Sequence, residues 1–232
     1  MKKAIKWIVI AIILVVVIGI GILVVKDFRQ EDILREEMLA FENLTREENI
    51  DVDQIDQRIR ELKTTGDYGV VEKAVKQYLA DGLNASIEIA NVLNDEKLVN
   101  ALTPENYKED GPEFTQTKQF LEEAKGKVES SKTELLELLS EEKIMSYIEG
   151  KNLDQYYIDL YKELALAAES TSESDKQEVE ATINEVIGML DIESQIINFL
   201  AENKGKWEVQ EDTIVFDSET LQNQYNEYIN QI

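Results

Sequence analysis

"FTQTKQFLEEAKGKVESSKTELLEL", residues 114–138, decides the fold. Phe114, Thr117, Leu121, Ala124, Val128, Ser131, Leu135 and Leu138 recur at strict spacings of three and four, which keeps them on one face of a helix along its whole length. Large seam residues (Phe114, Leu121, Val128, Leu135) alternate with small ones (Thr117, Ala124, Ser131), so a facing helix is expected toward the low end of the usual ~8–10 Å axis spacing. The natural partner is 70–102, where Val71, Val75, Tyr78, Gly82, Ala85, Ile89 and Val92 repeat the alternation. The two are expected to form an antiparallel helical hairpin, joined through "LTPENYKEDGPEF", residues 102–114, in which Thr103 caps a short helix opened by Pro104.

The same helical period extends in both directions. Toward the C-terminus, Ser140 caps a short helix through Ile144, Met145, Tyr147 and Ile148 that Gly150 ends. Leu153, Tyr157, Leu160, Leu164 and Ala167 mark the next helix, and "ESTSESD" at 169–175 is a polar connection. Val179, Ile183, Val186, Leu190, Ile197 and Leu200 make a further long helix stopping near Gly205. The period then changes, because "WEVQEDTIVF", 207–216, alternates about a polar break and predicts a small β-hairpin; Ser218 caps a last helix through Leu221, Tyr225 and Ile229. Toward the N-terminus, Asn49 or Asp51 caps a short helix through Ile55, Ile59 and Leu62, interrupted by "TTGDYG" at 64–69. Before it, Phe28, Ile33, Leu34, Met38, Phe41 and Leu44 form an amphipathic stripe.

One stretch belongs to a different solvent. "KWIVIAIILVVVIGIGILVVKDF", residues 6–28, holds an uncharged run from Trp7 to Val25. As a helix at ~1.5 Å per residue this run reaches about 28 Å, close to the hydrocarbon thickness of a bilayer. A cleavable export signal has a shorter apolar core of roughly 7–15 residues followed by small residues, so an uncleaved anchor is expected. Lysine and arginine counts on its two sides tie, with Lys2, Lys3 and Lys6 against Lys26, Arg29 and Arg35; the free amino terminus tips the basic tail toward the cytoplasm and the body outside.

Charge excludes whole classes of partner. The chain has 232 residues, 48 acidic and 24 basic, for a net charge of -24; residues 1–26 carry four lysines and no acid, so residues 27–232 carry -28. Such a field repels nucleic acid and anionic headgroups. With no cysteine and no histidine, disulfides, thiolate metal sites, cysteine nucleophiles and the usual general base are all missing.

Each candidate site has a competing structural explanation. "DVDQID", 51–56, opens like a calcium loop, but Asp56 stands where glycine is required and Leu62 where glutamate is, so a helix-opening acid cluster fits better. Ser140-Glu-Glu-Lys143 spells a serine–lysine nucleophile motif, yet Ser140 occupies a cap position. Tyr147, Tyr156, Tyr157 and Tyr161 cluster as a possible aromatic interaction patch for a sugar or peptide, with core packing as the alternative; Trp207, Tyr225 and Tyr228 form a second group. No catalytic, cofactor-binding or metal residue is expected.

The expected architecture is all-α: a basic cytoplasmic tail (1–6), a transmembrane helix contacting plasma-membrane lipid (7–25), a juxtamembrane helical stalk (26–66), an elongated antiparallel helical bundle (67–204), and a β-hairpin plus terminal helix (205–232). This layout of tail, single anchor and acidic helical body is shared by many bacterial envelope proteins. The expected function is non-enzymatic binding or scaffolding outside the cytoplasm with an envelope protein as partner. Two alternatives are an extracytoplasmic ligand-sensing helical domain and a hydrolase using carboxylates alone. Helical receptors pair their sensing domain with a second crossing, and no second apolar run of that length occurs in these residues.

Overall fold

The computed structural model describes residues 29–45, 51–166, 173–211 and 213–231. Its elements are α1 (Arg29–Thr45), α2 (Val52–Arg60), α3 (Gly66–Asn94), α4 (Glu96–Asn100), α5 (Pro104–Glu109), α6 (Thr115–Leu138), α7 (Glu141–Ser146), α8 (Gln155–Leu166), α9 (Glu173–Glu202), β1 (Trp207–Gln210), β2 (Thr213–Phe216) and α10 (Glu219–Ile229). The protein is therefore a helical bundle carrying one small hairpin near its C-terminus. No helix among the described residues is long and apolar enough to cross a membrane; the anchor expected at 7–25 and the basic tail at 1–6 lie outside them.

Local chemistry sets the helix ends. Asp51 accepts the Gln54 backbone N–H at 3.0 Å, Thr103 accepts that of Asn106 at 3.3 Å ahead of Pro104, and Ser140 accepts that of Lys143 at 3.2 Å. Each side-chain oxygen satisfies an N–H that has no partner inside its helix. Gly150, at φ +70, lies beyond α7 in the left-handed region. Several boundaries differ from the sequence reading: α2 ends at Arg60, before Leu62; α8 starts at Gln155, after Leu153; and α9 starts at Glu173, inside the stretch expected as a connection. The 70–102 helix starts earlier, at Gly66, and is cut at Asp95, whose carboxylate accepts the Lys97 N–H at 2.8 Å and opens α4. Ser218 precedes α10 without a side-chain capping bond.

The chain divides into two compact units, Met1–Ile87 with Ser131–Thr182 and Glu88–Ser130 with Ile183–Ile232. In the first unit, Leu34, Met38 and Phe41 of α1 and Ile55 of α2 join Val71, Val75, Tyr78, Leu79 and Leu83 of α3 and Ile144, Leu160, Tyr161 and Leu164 in one buried cluster. The stretch expected as a stalk thus puts its apolar stripe into a core. Burying a side chain of this size is worth ~1.5–3 kcal/mol, and α1 contributes several.

The second unit is built on the other halves of the seams. Leu121, Ala124 and Val128 of α6, and Ile183, Val186, Leu190, Ile197 and Leu200 of α9, are at most 3% exposed. Its hairpin pairs Trp207 with Phe216 and Val209 with Ile214, so these four share a face. Ile214 and Phe216 are buried, and Phe216 lies 5.7 Å from Phe199 and 5.5 Å from Tyr225, which fastens α10 to the hairpin.

The helices read at 70–102 and 114–138 form as α3 with α4 and as α6, and the seam residues of both are buried.

Candidate functional site

The four tyrosines grouped from the sequence do not form one patch. Tyr161 is wholly buried and donates to the Ile144 carbonyl at 2.6 Å, so it belongs to the core. Tyr147 donates to Asp81 Oδ2 at 2.5 Å and meets Tyr78 edge to face at 6.0 Å. Tyr156 and Tyr157 stay together, and α3 brings them a third ring, Tyr68, which the sequence reading did not include. Centroid separations are 6.4 Å for Tyr68–Tyr156, 5.0 Å for Tyr68–Tyr157 and 5.2 Å for Tyr156–Tyr157. In the second unit Trp207 stacks on Phe114 at 5.9 Å and pairs with Phe216 across the hairpin, while Tyr225 contacts Phe216 and Tyr228 contacts Phe199.

Backbone geometry fixes the trio. Tyr68 sits in the first turn of α3 behind Gly66, at φ +62, and Gly69 lies so close to the preceding segment that a Cβ there would stand 3.0 Å from the Thr64 carbonyl oxygen. Tyr156 and Tyr157 occupy the first turn of α8, where the Tyr157 N–H reaches the Asp154 carbonyl at 3.0 Å. The Tyr156 hydroxyl donates to Glu31 Oε2 and lies 3.4 Å from the Tyr68 hydroxyl. Burial first, then the neighbouring Tyr68, Asp67 and Asp154, raise the Tyr157 hydroxyl above its ordinary pKa.

Behind the rings lies a buried ionic framework. Arg35, 7% exposed, donates to Glu163 through both terminal nitrogens at 2.9 and 3.1 Å and to Glu31 through Nε at 2.9 Å. The two-pronged geometry fixes the guanidinium in plane as well as in position. Deeper still, Lys76 is 2% exposed and spends its three protons on Glu37 Oε1 at 2.9 Å, Glu72 Oε1 at 2.7 Å and the Glu61 carbonyl at 2.5 Å. Glu72, fully buried, also accepts the Lys63 and Thr64 backbone N–H groups and the Thr64 hydroxyl. Burial alone would raise the Glu72 carboxyl; the bonds from Lys76, Thr64 and the 63–64 backbone outweigh it and hold it below the ordinary range. Every partner is satisfied, so the framework positions α1, α3 and the 61–65 turn and leaves no group free for chemistry.

Other chemical readings resolve structurally. The Ser140 hydroxyl donates to the Glu137 carbonyl at 2.7 Å while capping α7, so it is committed on both sides. No group of three or more acidic side chains among the described residues is placed to hold a metal ion. A cleft of about 530 Å³ in the second unit is lined by Thr103, Asn106, Asp110, Thr117, Lys97 and Phe120 among others. Its inner polar groups are engaged in the loop itself: Asn106 donates to Ala101 and Thr117, and Asp110 accepts the Gln116 and Thr117 N–H groups at 3.1 and 2.8 Å. A second cleft of about 560 Å³ lies between Met145, Ile148, Leu153 and Ile158.

The second unit buries an acid, Glu193, which is 4% exposed and whose Oε2 has no hydrogen-bond partner among the described residues. Burial pushes the Glu193 carboxyl up to about 7.

No protein-family model, curated protein or solved structure matches this chain.

Proposed function

We propose that this protein is a single-pass, membrane-anchored component of the bacterial cell envelope whose acidic helical body lies outside the cytoplasm and binds or spaces another envelope protein without catalysis. The observation that carries this reading is the Tyr68–Tyr156–Tyr157 trio, aromatic surface held at the outside of a unit whose buried charges are all spent on rigidity. Surface tyrosines on a stiff support contribute contact area at low entropic cost, as interfaces require. The anchor rests on the uncharged run from Trp7 to Val25, and the orientation on the basic tail before it. Absence of histidine and cysteine from the whole chain, and a Ser140 committed as a cap, weigh against hydrolysis.

A photo-crosslinking amino acid placed in the full chain at Tyr156, Leu62 or Val99, all at least 46% exposed, tests this. Irradiation of intact cells is expected to give one discrete protein adduct from at least one position. Adducts to lipid alone, or none from any position, would contradict it.

A further inference from the structure

Few residues separate the apolar run from the folded body. The stripe of α1 lies in the core of the first unit, so the body begins at the first turn of α1, where Glu31 is already only 7% exposed. Gln30 accepts the Thr65 backbone N–H at 3.1 Å, and Glu31, one residue on, accepts the Tyr156 hydroxyl. The uncharged run ends at Val25, five residues before Gln30. A chain covers at most ~3.6 Å per residue, so in any conformation Gln30 stays within about 18 Å of Val25. If the run spans a bilayer, the part of the first unit that carries Thr65, Tyr68, Tyr156 and Tyr157 is its membrane-proximal end.

The side chains at that end suit the headgroup layer. Tyr156 is 46% exposed, and Leu62, three residues before Thr65, is 50% exposed. Tyrosine concentrates where membrane meets water, because its ring is apolar and its hydroxyl keeps hydrogen bonds there. That placement needs exposed ring edges rather than a cavity or an open face, so the edge-to-face packing of Tyr68, Tyr156 and Tyr157 is compatible with it. Asp67 and Asp154 are exposed beside these tyrosines in the chain, and the body is strongly acidic, so attraction to anionic lipid cannot be the driving force. The short link to the anchor makes the contact intramolecular, and weak partitioning of a few side chains then suffices. We propose that Leu62, Tyr68, Tyr156 and Tyr157 seat the first unit on the zwitterionic headgroups of the bilayer that holds the anchor. The seat rests on the anchor proposed above, and the protein contact proposed there is then made at the membrane surface.

The test uses the full chain reconstituted in phosphatidylcholine nanodiscs, with a fluorophore on Thr65→Cys, which is then the only cysteine. Thr65 is exposed and meets Gln30 through its backbone, which the substitution keeps. Phosphatidylcholine spin-labelled on the headgroup is expected to quench the probe, and more strongly than lipid labelled at the end of the acyl chain. Adding phosphatidylglycerol is expected to lower that quenching at low salt and to change it little at high salt. Tyr156→Ser is expected to cut headgroup quenching roughly threefold, whereas Tyr156→Trp, which keeps an interfacial ring, stays close to the parent. Leu62→Ser supplies the same arm from a position without a hydrogen-bond partner to lose, should loss of the Tyr156–Glu31 bond loosen α8. No quenching in an incorporated chain would overturn the seat and leave that end to a protein partner. Stronger quenching by the deep label, quenching that rises with phosphatidylglycerol, or equal quenching in the parent and both serine variants would overturn it as well. A chain that fails to enter nanodiscs would instead refute the anchor, and the reading above with it, which separates the two failures.

Discussion

Lys76→Met is expected to destabilise the first unit by about 3–5 kcal/mol, because it removes the counter-charge from carboxylates that cannot reach water. For a chain of this size that corresponds to a fall in thermal unfolding temperature on the order of 10 °C, followed by circular dichroism on the full chain in detergent. Glu37 is 5% exposed and would keep only Arg58, at 2.6 Å; Glu72 would keep its bonds to the 63–64 segment. Glu37→Leu alone is costly for the mirror reason, leaving Lys76 with less charge compensation. The double variant is expected to cost less than the sum of the singles by more than about 1 kcal/mol, since removing both charges leaves neither stranded. Strict additivity, or a Lys76→Met variant melting with the parent, would show that these charges reach solvent in the native state.

Glu193→Gln is expected to leave stability nearly unchanged at pH 5 and to stabilise the second unit at pH 8. The folded protein holds the Glu193 proton to about 7, against an ordinary 4.5 in the unfolded chain. Between those values the native state binds the proton more tightly, so the stability tied to Glu193 is complete below pH 4.5 and is lost as pH rises through 7. The difference corresponds to on the order of 3 kcal/mol between the ends of the window. Glutamine keeps the shape of the protonated acid and does not titrate, so comparing melting temperatures of the two proteins across pH isolates this group from the other acids. A gap that does not widen with pH would mean that the carboxylate finds a partner or water. Glu72 answers at the other end: its carboxyl is held below the ordinary range, so its contribution is present above pH 4.5 and lost as pH falls further.

Periodicity in the sequence reported burial along the 71–92 and 114–138 seams, whereas Leu62 and Ile229, read on apolar stripes, are 50% and 36% exposed. Every seam residue from Phe114 to Leu138 is at most 6% exposed, and the caps at Asp51, Thr103 and Ser140 form the bonds their residue types imply. The buried charges were illegible for a physical reason. Glu72 and Lys76 stand four apart on a helix, the spelling of an ordinary solvent-face ion pair, and only the width of the apolar surface around them, with Ala74, Leu79 and Leu83 beside Val71, Val75 and Tyr78, hints that α3 is surrounded. The tyrosine site failed differently. Tyr147 to Tyr161 are close in sequence but straddle α7 and α8, which turn them to different neighbours, while Tyr68 meets Tyr156 across 88 residues of chain through packing alone.

Whether the helical body is held at a membrane and displayed outside the cytoplasm is tested most directly by labelling. The chain contains no cysteine, so a single one introduced by Lys127→Cys, at an exposed position of α6, gives an unambiguous handle; Lys3→Cys serves the basic tail. A membrane-impermeant maleimide applied to intact spheroplasts is expected to modify Lys127→Cys and to spare Lys3→Cys until the membrane is broken, with both proteins remaining in the membrane pellet after alkaline carbonate. Modification of Lys127→Cys only after lysis, or its release into the carbonate supernatant, would contradict a body anchored and displayed in this way.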